Sequence, residues 1–129
     1  MAAHPDYYAE NHAHGFNFLH VCYDQMLTNT RQLLFQGAGY GVVSSYDLQG
    51  AIETCTGYQS FDLLILCHSV PQADKQRIIG AFRRKCRAPI LALLNEYERI
   101  AGAYPVNTSD PAQLLQTISA MLRTKHHIL

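Results

Sequence analysis

Residues 61–71 read FDLLILCHSVP, and this stretch decides how the rest of the chain is interpreted. The run Leu63 to Leu66 inside it is continuously apolar, as expected for a central parallel strand that is buried on both faces. Cys67 and His68 follow directly, and Pro71 stands four positions after Cys67. The stretch therefore predicts a buried strand, residues 61–66, that carries Cys67 to the end of a sheet.

Short apolar runs alternate with amphipathic helical patterns on both sides of this strand, starting at Phe16. Such an alternation predicts a parallel sheet that is covered by helices on both faces. The other predicted strands cover residues 18–22, 40–44, 88–94 and 103–106.

Caps and apolar spacing define the predicted helices. Asp47 is the N-cap of the second helix, whose apolar positions are Leu48, Ala51, Ile52 and Cys55. A third helix covers residues 72–86, and the last begins with Asp110 as N-cap and Pro111 at the first helical position. For the first helix, residues 24–36, the set expected to face the sheet is Met26, Leu27, Thr30, Leu33 and Leu34.

The segment Asn95 to Ser109 departs from this regular alternation. A helix, two loops and a strand need roughly twenty residues or more, and only fifteen are present. We therefore expect the fourth helix to be short, distorted or absent. The fifth strand contains Pro105, which has no N–H to donate and belongs at the edge of a sheet.

The composition limits the classes of partner and compartment. Ten basic and ten acidic side chains cancel, so no overall field attracts nucleic acid or an anionic membrane. The apolar runs are far shorter than the roughly 20 residues that cross a bilayer, and residues 1–15 do not resemble a signal peptide. Four dispersed cysteines form no CxxC pair. We expect a cytoplasmic protein with a flexible arm at residues 1–15, one domain at 16–124 and a tail at 125–129.

Four stretches together carry a resemblance to a known family: HVCYD (20–24), GYGVV (39–43), FDLLILCHSVP (61–71) and APILALL (88–94). Over residues 16–124 the chain resembles the receiver domain of response regulators. The resemblance implies a flavodoxin-like (CheY-like) α/β three-layer sandwich with a five-stranded parallel sheet in the order 2-1-3-4-5. Its site would lie at the carboxyl ends of the strands.

The resemblance also implies that several of the family's functional side chains are replaced in this sequence. The family's acidic pair falls on Cys22 and Tyr23, which leaves Asp24 as the nearest carboxylate. The phosphate-accepting aspartate falls on Cys67, the hydroxyl residue on Leu94 and the lysine on Asn107. Magnesium requires hard oxygen ligands, and phosphoryl transfer requires that cation together with positive charge. We therefore expect no phosphorylation at the usual position, no metal, no cofactor and no enzyme activity.

The leading hypothesis is a degenerate receiver, or pseudo-receiver, that binds another signalling protein without being phosphorylated. Tyr97, Tyr104 and Pro105 are candidates for its contact surface, since aromatic side chains are enriched at interfaces. They serve equally well as cover for the gap left by a missing helix. The sequence does not decide whether the domain forms a homodimer.

A rival hypothesis uses the substituted residues themselves. Cys22 and Cys67 would end adjacent strands at the same edge of the sheet, with His68 beside them, which suggests a thiol-redox or soft-metal sensor. Against this, free cysteines are among the most buried residues and serve as small apolar fillers. An accessible thiol with a lowered pKa would favour the sensor.

Overall fold

The computed structural model describes residues 15–94, 100–106 and 110–127. Most of the predicted N-terminal arm, the end of the predicted C-terminal tail, Tyr97 and Asn107 lie outside these ranges. Within the described residues, no helix combines the length and the apolar character that crossing a membrane requires.

A five-stranded sheet forms the centre of the fold, in the order β2-β1-β3-β4-β5. All four neighbouring pairs are parallel, and Val21 is in register with Ser45 on one side and Leu66 on the other. The predicted strand order is therefore confirmed. The strands are β1 (Asn17–Val21), β2 (Gly41–Ser45), β3 (Leu63–Leu66), β4 (Ile90–Leu93) and β5 (Tyr104–Val106).

Four helices in the described part of the chain cover the two faces of this sheet. They are α1 (Gln25–Gly37), α2 (Leu48–Thr56), α3 (Gln72–Arg83) and α4 (Pro111–His127). Alternation along the strands separates two cores, because successive side chains point to opposite faces. Leu19 and Leu64 pack with α2 and α3, whereas Phe18 and Leu63 pack with α1 and α4. The molecule is thus a three-layer sandwich, as predicted.

The orientation of α1 differs from the sequence-based expectation. Met26 and Leu33 are 82% and 71% exposed, while Thr28 and Phe35 are buried. Thr28 can be buried because its hydroxyl donates to the backbone oxygens of Cys22 and Asp24, at 3.1 and 2.8 Å. The expected set was wrong for Met26, Thr30 and Leu33, which are exposed, whereas Leu34 packs against the core as expected. The helix is rotated relative to the expectation, so that Thr28 and Phe35 face the sheet.

Helix α3 ends earlier than predicted, at Arg83 rather than Cys86. The guanidinium of Arg83 donates to the backbone oxygens of Cys86 and Ala88, at 3.2 and 2.6 Å. The Lys85 ammonium donates to the backbone oxygens of Thr56 and Gly57. These two cations therefore fasten the turn after α3 and its contact with the end of α2.

The region between β4 and α4 is described only in part. Asn95–Arg99 lies outside the described residues, so the predicted defect of the fourth helix stays a prediction there. Ile100–Ala103 forms a turn in which Gly102 has a φ of 86°, a conformation that favours glycine. β5 follows at the edge of the sheet, which confirms the position inferred from Pro105.

Candidate functional site at the carboxyl ends of the strands

Cys22 and Cys67 lie side by side where β1 and β3 end. The N–H of Cys67 donates to the Val21 oxygen at 2.9 Å, and the N–H of Cys22 donates to the Ser45 oxygen at 3.0 Å. The two cysteines therefore continue the in-register pairing of Val21 with Leu66. Both side chains are fully buried, and both cysteines are free thiols. The expected adjacency of these two residues is confirmed.

Arg31 of α1 reaches the end of β3 from the helical layer above the sheet. Its Nη1 donates to the sulfur of Cys67 at 2.9 Å. Arg31 is half-buried, three positions after the buried Thr28 and four before the buried Phe35, so helical spacing directs it to the sheet. A cation next to a sulfur stabilises the thiolate form of cysteine.

The two thiols have opposite acid–base behaviour. The pKa of Cys67 is lowered to about 5, mainly by the hydrogen bond from Cys22, with Ser69 and the Arg31 charge adding to this against the effect of burial. The pKa of Cys22 is raised, mainly by the same hydrogen bond and then by burial. The pair therefore holds one proton on Cys22 and one negative charge on Cys67 at neutral pH.

Tyr23 and Ser69 join the loops that follow β1 and β3. The N–H of Tyr23 donates to the hydroxyl of Ser69 at 3.0 Å, and the hydroxyl of Tyr23 donates to Asp74 Oδ2 at 2.8 Å. Burial raises the pKa of Tyr23, and Asp74 raises it further by hydrogen bonding and by its charge. Tyr23 is therefore a neutral hydrogen-bond donor that holds the carboxylate of α3 against the end of β1.

Asp24, the carboxylate nearest the end of β1, is used by α1. Its side chain accepts from the N–H of Leu27 at 3.1 Å, and its backbone has the extended conformation of an N-cap. The residue is exposed. Its local role is thus to begin the helix that carries Arg31.

Leu94 lies at the end of β4 and faces away from the two thiols. It is buried with Ala92 and Ile100, and Ile79 of α3 packs against this cluster. Its N–H donates to the Val106 oxygen at 3.0 Å, which extends the pairing of β4 with β5. This apolar cluster packs at the carboxyl end of β4. Asn107, the remaining position of the predicted set, is outside the described residues.

The sequence was interpreted as directing His20 away from the two thiols, because side chains alternate along a strand, and this interpretation was wrong. His20 is fully buried beside Phe35, and neither ring nitrogen has a hydrogen-bond partner among the described residues. Burial lowers the pKa of His20 to about 3, and the positive charge of Arg31 lowers it further. The signal was available, because residues 20 and 22 alternate with Val21 and share a face of the strand.

His68 adds little to a metal site. It is exposed, and its Nδ1 is 3.8 Å from the sulfur of Cys67. Among residues 15–94, 100–106 and 110–127, no three His, Cys, Asp or Glu side chains are grouped so as to hold a metal ion.

The candidate contact residues on β5 lie on the surface. Tyr104 is 56% exposed and Pro105 is exposed. Tyr104 also lines an open groove of about 420 Å³ between the sheet edge and α4, together with Pro89, Thr117, Ala120 and Met121. The structure therefore leaves an aromatic side chain and an apolar groove on the same side of the molecule.

Comparison of this structure with solved structures returns receiver domains. The N-terminal domain of a response regulator/sensory box/GGDEF protein from Carboxydothermus hydrogenoformans has a TM-score of 0.73 and 16% identity, covering 86% of this chain and 97% of its own. A CheY-like receiver from Methanospirillum hungatei has a TM-score of 0.75 and 15% identity, with coverages of 88% and 98%.

A third structure is the response regulator TrrA from Thermotoga maritima in complex with Mg²⁺ and beryllofluoride. Its TM-score is 0.68 at 19% identity, and the match covers 82% of this chain and 98% of that one. No protein-family model and no curated protein sequence matches this chain. The chain therefore has the flavodoxin-like fold of CheY-like response-regulator receiver domains. Its similarity to these structures is a similarity of fold.

Proposed function

We propose that this protein is a degenerate receiver, in which Cys67 takes the place of the phosphate-accepting aspartate and which acts as a phosphorylation-independent interaction module in signal transduction. The contact between Arg31 and the sulfur of Cys67, at 2.9 Å, carries the proposal. The positive charge of Arg31 stabilises the thiolate of Cys67 at the end of β3. Thiolate is a soft ligand, whereas magnesium is held by hard oxygen ligands.

The nearby carboxylates support the same proposal. Asp24 caps α1, and Asp74 accepts from the hydroxyl of Tyr23. Both carboxylates therefore have structural partners in the resting protein. Binding Mg²⁺ between them would require breaking a helix cap and the link between two loops, and phosphoryl transfer depends on that cation. No catalytic role is proposed for this site.

Binding of beryllofluoride with Mg²⁺ tests whether this site has lost the ability to hold a phosphoryl group. The Thermotoga maritima response regulator was solved with Mg²⁺ and this ligand. The measurement is a titration of ¹⁵N-labelled protein with Mg²⁺ and beryllofluoride, followed in amide NMR spectra. We expect no saturable shifts at the amides of residues 22–24 and 67–69. Saturable shifts there, abolished by EDTA, would overturn the proposal.

For the interaction role, the proposed binding surface for a signalling protein lies next to β5. β5 is a short edge strand, and its Tyr104 is exposed beside the groove along α4. A partner purified from the source cells is expected to bind with the same affinity with and without acetyl phosphate and Mg²⁺.

Two matched variants locate the binding surface. Tyr104→Ala is expected to weaken binding by about 1 kcal/mol or more, the loss typical of an aromatic contact residue. Tyr58→Ala, a fully exposed tyrosine after α2, is expected to leave the affinity unchanged. Equal loss in both variants, or binding that requires the phosphodonor, would contradict the proposed interaction role. A partner that proves to be a second copy of this chain would make the domain a homodimer.

A further inference from the structure

We propose that Cys22 and Cys67 form a peroxide-responsive dithiol, which a hydroperoxide oxidises reversibly to a disulfide between the ends of β1 and β3. This inference goes beyond partner binding and does not depend on it, because the reaction requires neither a partner nor a phosphodonor. Four features carry it: the placement of the two sulfurs, the cation beside one of them, the proton on the other, and the contrast with the second cysteine pair.

The strand pairing brings the two residues within disulfide range. Cys22 and Cys67 directly follow the in-register pair Val21 and Leu66. Neighbouring strands lie about 4.8 Å apart. Disulfides join residues whose Cα atoms are about 4.4–6.8 Å apart, and the spacing of neighbouring strands falls within this range. Alternation places both side chains on the face covered by α1.

The surroundings assign a different role to each sulfur. Arg31 donates to Cys67 at 2.9 Å, and the lowered pKa of Cys67, about 5, makes it the thiolate and therefore the nucleophile. The sulfur of Cys22 lies 3.5 Å from the hydroxyl of Ser69 and keeps its proton because its pKa is raised. A thiolate next to a second thiol is the arrangement in which an oxidised cysteine is resolved as a disulfide.

The reaction balances in two steps. The Cys67 thiolate attacks one peroxide oxygen, so that a sulfur–oxygen bond forms, the oxygen–oxygen bond breaks, and the leaving hydroxide takes a proton from solvent. Cys67 is then a sulfenic acid, oxidised by two electrons, and the peroxide is reduced. The sulfur of Cys22 attacks Cys67, the sulfur–sulfur bond forms, and the displaced hydroxide leaves as water with the Cys22 proton.

The burial of the two sulfurs favours a small oxidant. Both sulfurs are fully buried, but each residue ends a strand and is followed within two positions by an exposed one, His68 after Cys67 and Asp24 after Cys22. Hydrogen peroxide is close to water in size, so it needs the smallest opening of this edge. The disulfide removes the thiolate from Arg31 and leaves the edge one unit more positive.

The second cysteine pair is an internal comparison. Burial and then the charge of Cys86 raise the pKa of Cys55 to about 11. The thiol of Cys86 donates to the Phe61 oxygen at 3.2 Å. Cys55 is therefore a protonated core thiol, and we expect this pair to be inert under conditions that oxidise Cys22 and Cys67.

The test treats the full chain with hydrogen peroxide and measures the intact mass after the remaining thiols are blocked with N-ethylmaleimide. The variant Cys55→Ala/Cys86→Ala retains Cys22 and Cys67. After peroxide treatment its mass is expected to be about 2 Da lower than that of the reduced protein, and it is expected to take up no maleimide. Reduction with dithiothreitol before blocking is expected to restore both maleimide adducts. Cys22→Ala/Cys67→Ala is the matched control, and we expect it to keep both adducts.

Two further readouts separate the proposed chemistry from general oxidation. Arg31→Gln in the Cys55→Ala/Cys86→Ala background is expected to slow the reaction at pH 6 by a factor of about two, because the Arg31 charge is one of the smaller causes of the lowered pKa of Cys67 and less thiolate is present without it. In the wild-type chain, the disulfide is expected to map to Cys22 and Cys67. Retention of all four free thiols in the folded wild type, equal reactivity of the control pair, or oxidation only in urea would overturn the inference.

Discussion

His20 is the residue whose burial has the clearest cost. Its ring has no hydrogen-bond partner within the described part of the chain, so burial favours the neutral imidazole and lowers the pKa of His20 to about 3. It lies on the same strand face as Cys22, under the Arg31 that contacts Cys67. The residues beside the strand ends are therefore linked by charge: Arg31 favours the thiolate and disfavours a protonated His20.

This residue predicts how stability depends on pH. In the unfolded chain His20 takes up a proton near pH 6.5, whereas in the folded protein it does so near pH 3. The unfolded state binds more protons between these values, so the free energy of unfolding falls as pH is lowered, by at most about 1.4 kcal/mol per pH unit from this group.

The comparison is made by urea unfolding at pH 6.5, 5.5 and 4.5. We expect His20→Leu to flatten the pH dependence relative to wild type. The control Leu33→Ala, at an exposed position of α1, is expected to keep the wild-type slope. An unchanged slope in His20→Leu would show that His20 is not buried in its neutral form.

Tyr23 gives a second prediction at the residue scale. Tyr23→Phe removes the hydroxyl that donates to Asp74 at 2.8 Å. Loss of one hydrogen bond of this kind costs about 1 kcal/mol, and urea unfolding measures it. Tyr58→Phe, at a fully exposed position, is expected to change stability by less than about 0.5 kcal/mol. Equal effects would mean that the link between the two loops contributes nothing.

Helix α1 is the element that decides what the site contains. Its N-cap is Asp24, its buried face includes Thr28, and Arg31 extends from it to Cys67. The apolar pattern placed Met26 and Leu33 on the sheet, but both are exposed. Thr28 is buried instead because its hydroxyl donates to the nearby oxygens of Cys22 and Asp24, and the half-buried Arg31 reaches Cys67 on another element. In α2, where the buried positions are apolar, the predicted face is confirmed.

The cap of α1 allows a test of what Asp24 does. Asparagine caps helices about as well as aspartate, whereas alanine loses about 1 kcal/mol. We therefore expect Asp24→Asn to keep the stability of the wild type and Asp24→Ala to lose roughly that amount in thermal or urea unfolding. A magnesium ligand would behave differently, since both variants would then abolish an increase in stability caused by Mg²⁺.

At the scale of the whole molecule, the alternation of apolar runs and capped helices predicted a parallel sheet covered on both faces, whereas the order of the strands came from the resemblance to receiver domains. That order implied that Cys22 and Cys67 end neighbouring strands, since parallel strands end at one edge. The Arg31 contact and the burial of His20 against Phe35 did not follow from the sequence, because each depends on how a helix is rotated above the sheet. Sequence pattern and resemblance were therefore enough to predict the sheet. The side-chain contacts at its carboxyl edge required the structure.

The central claim is that the carboxyl edge of this sheet does not accept a phosphoryl group. The most direct measurement is the intact mass of the full chain after incubation with acetyl phosphate and Mg²⁺, with Cys67→Asp treated in parallel. We predict no gain of about 80 Da in the wild type, and none in Cys67→Asp, because the oxygen ligands that hold magnesium are still missing. A stoichiometric, magnesium-dependent gain of that mass in the wild type would contradict the account.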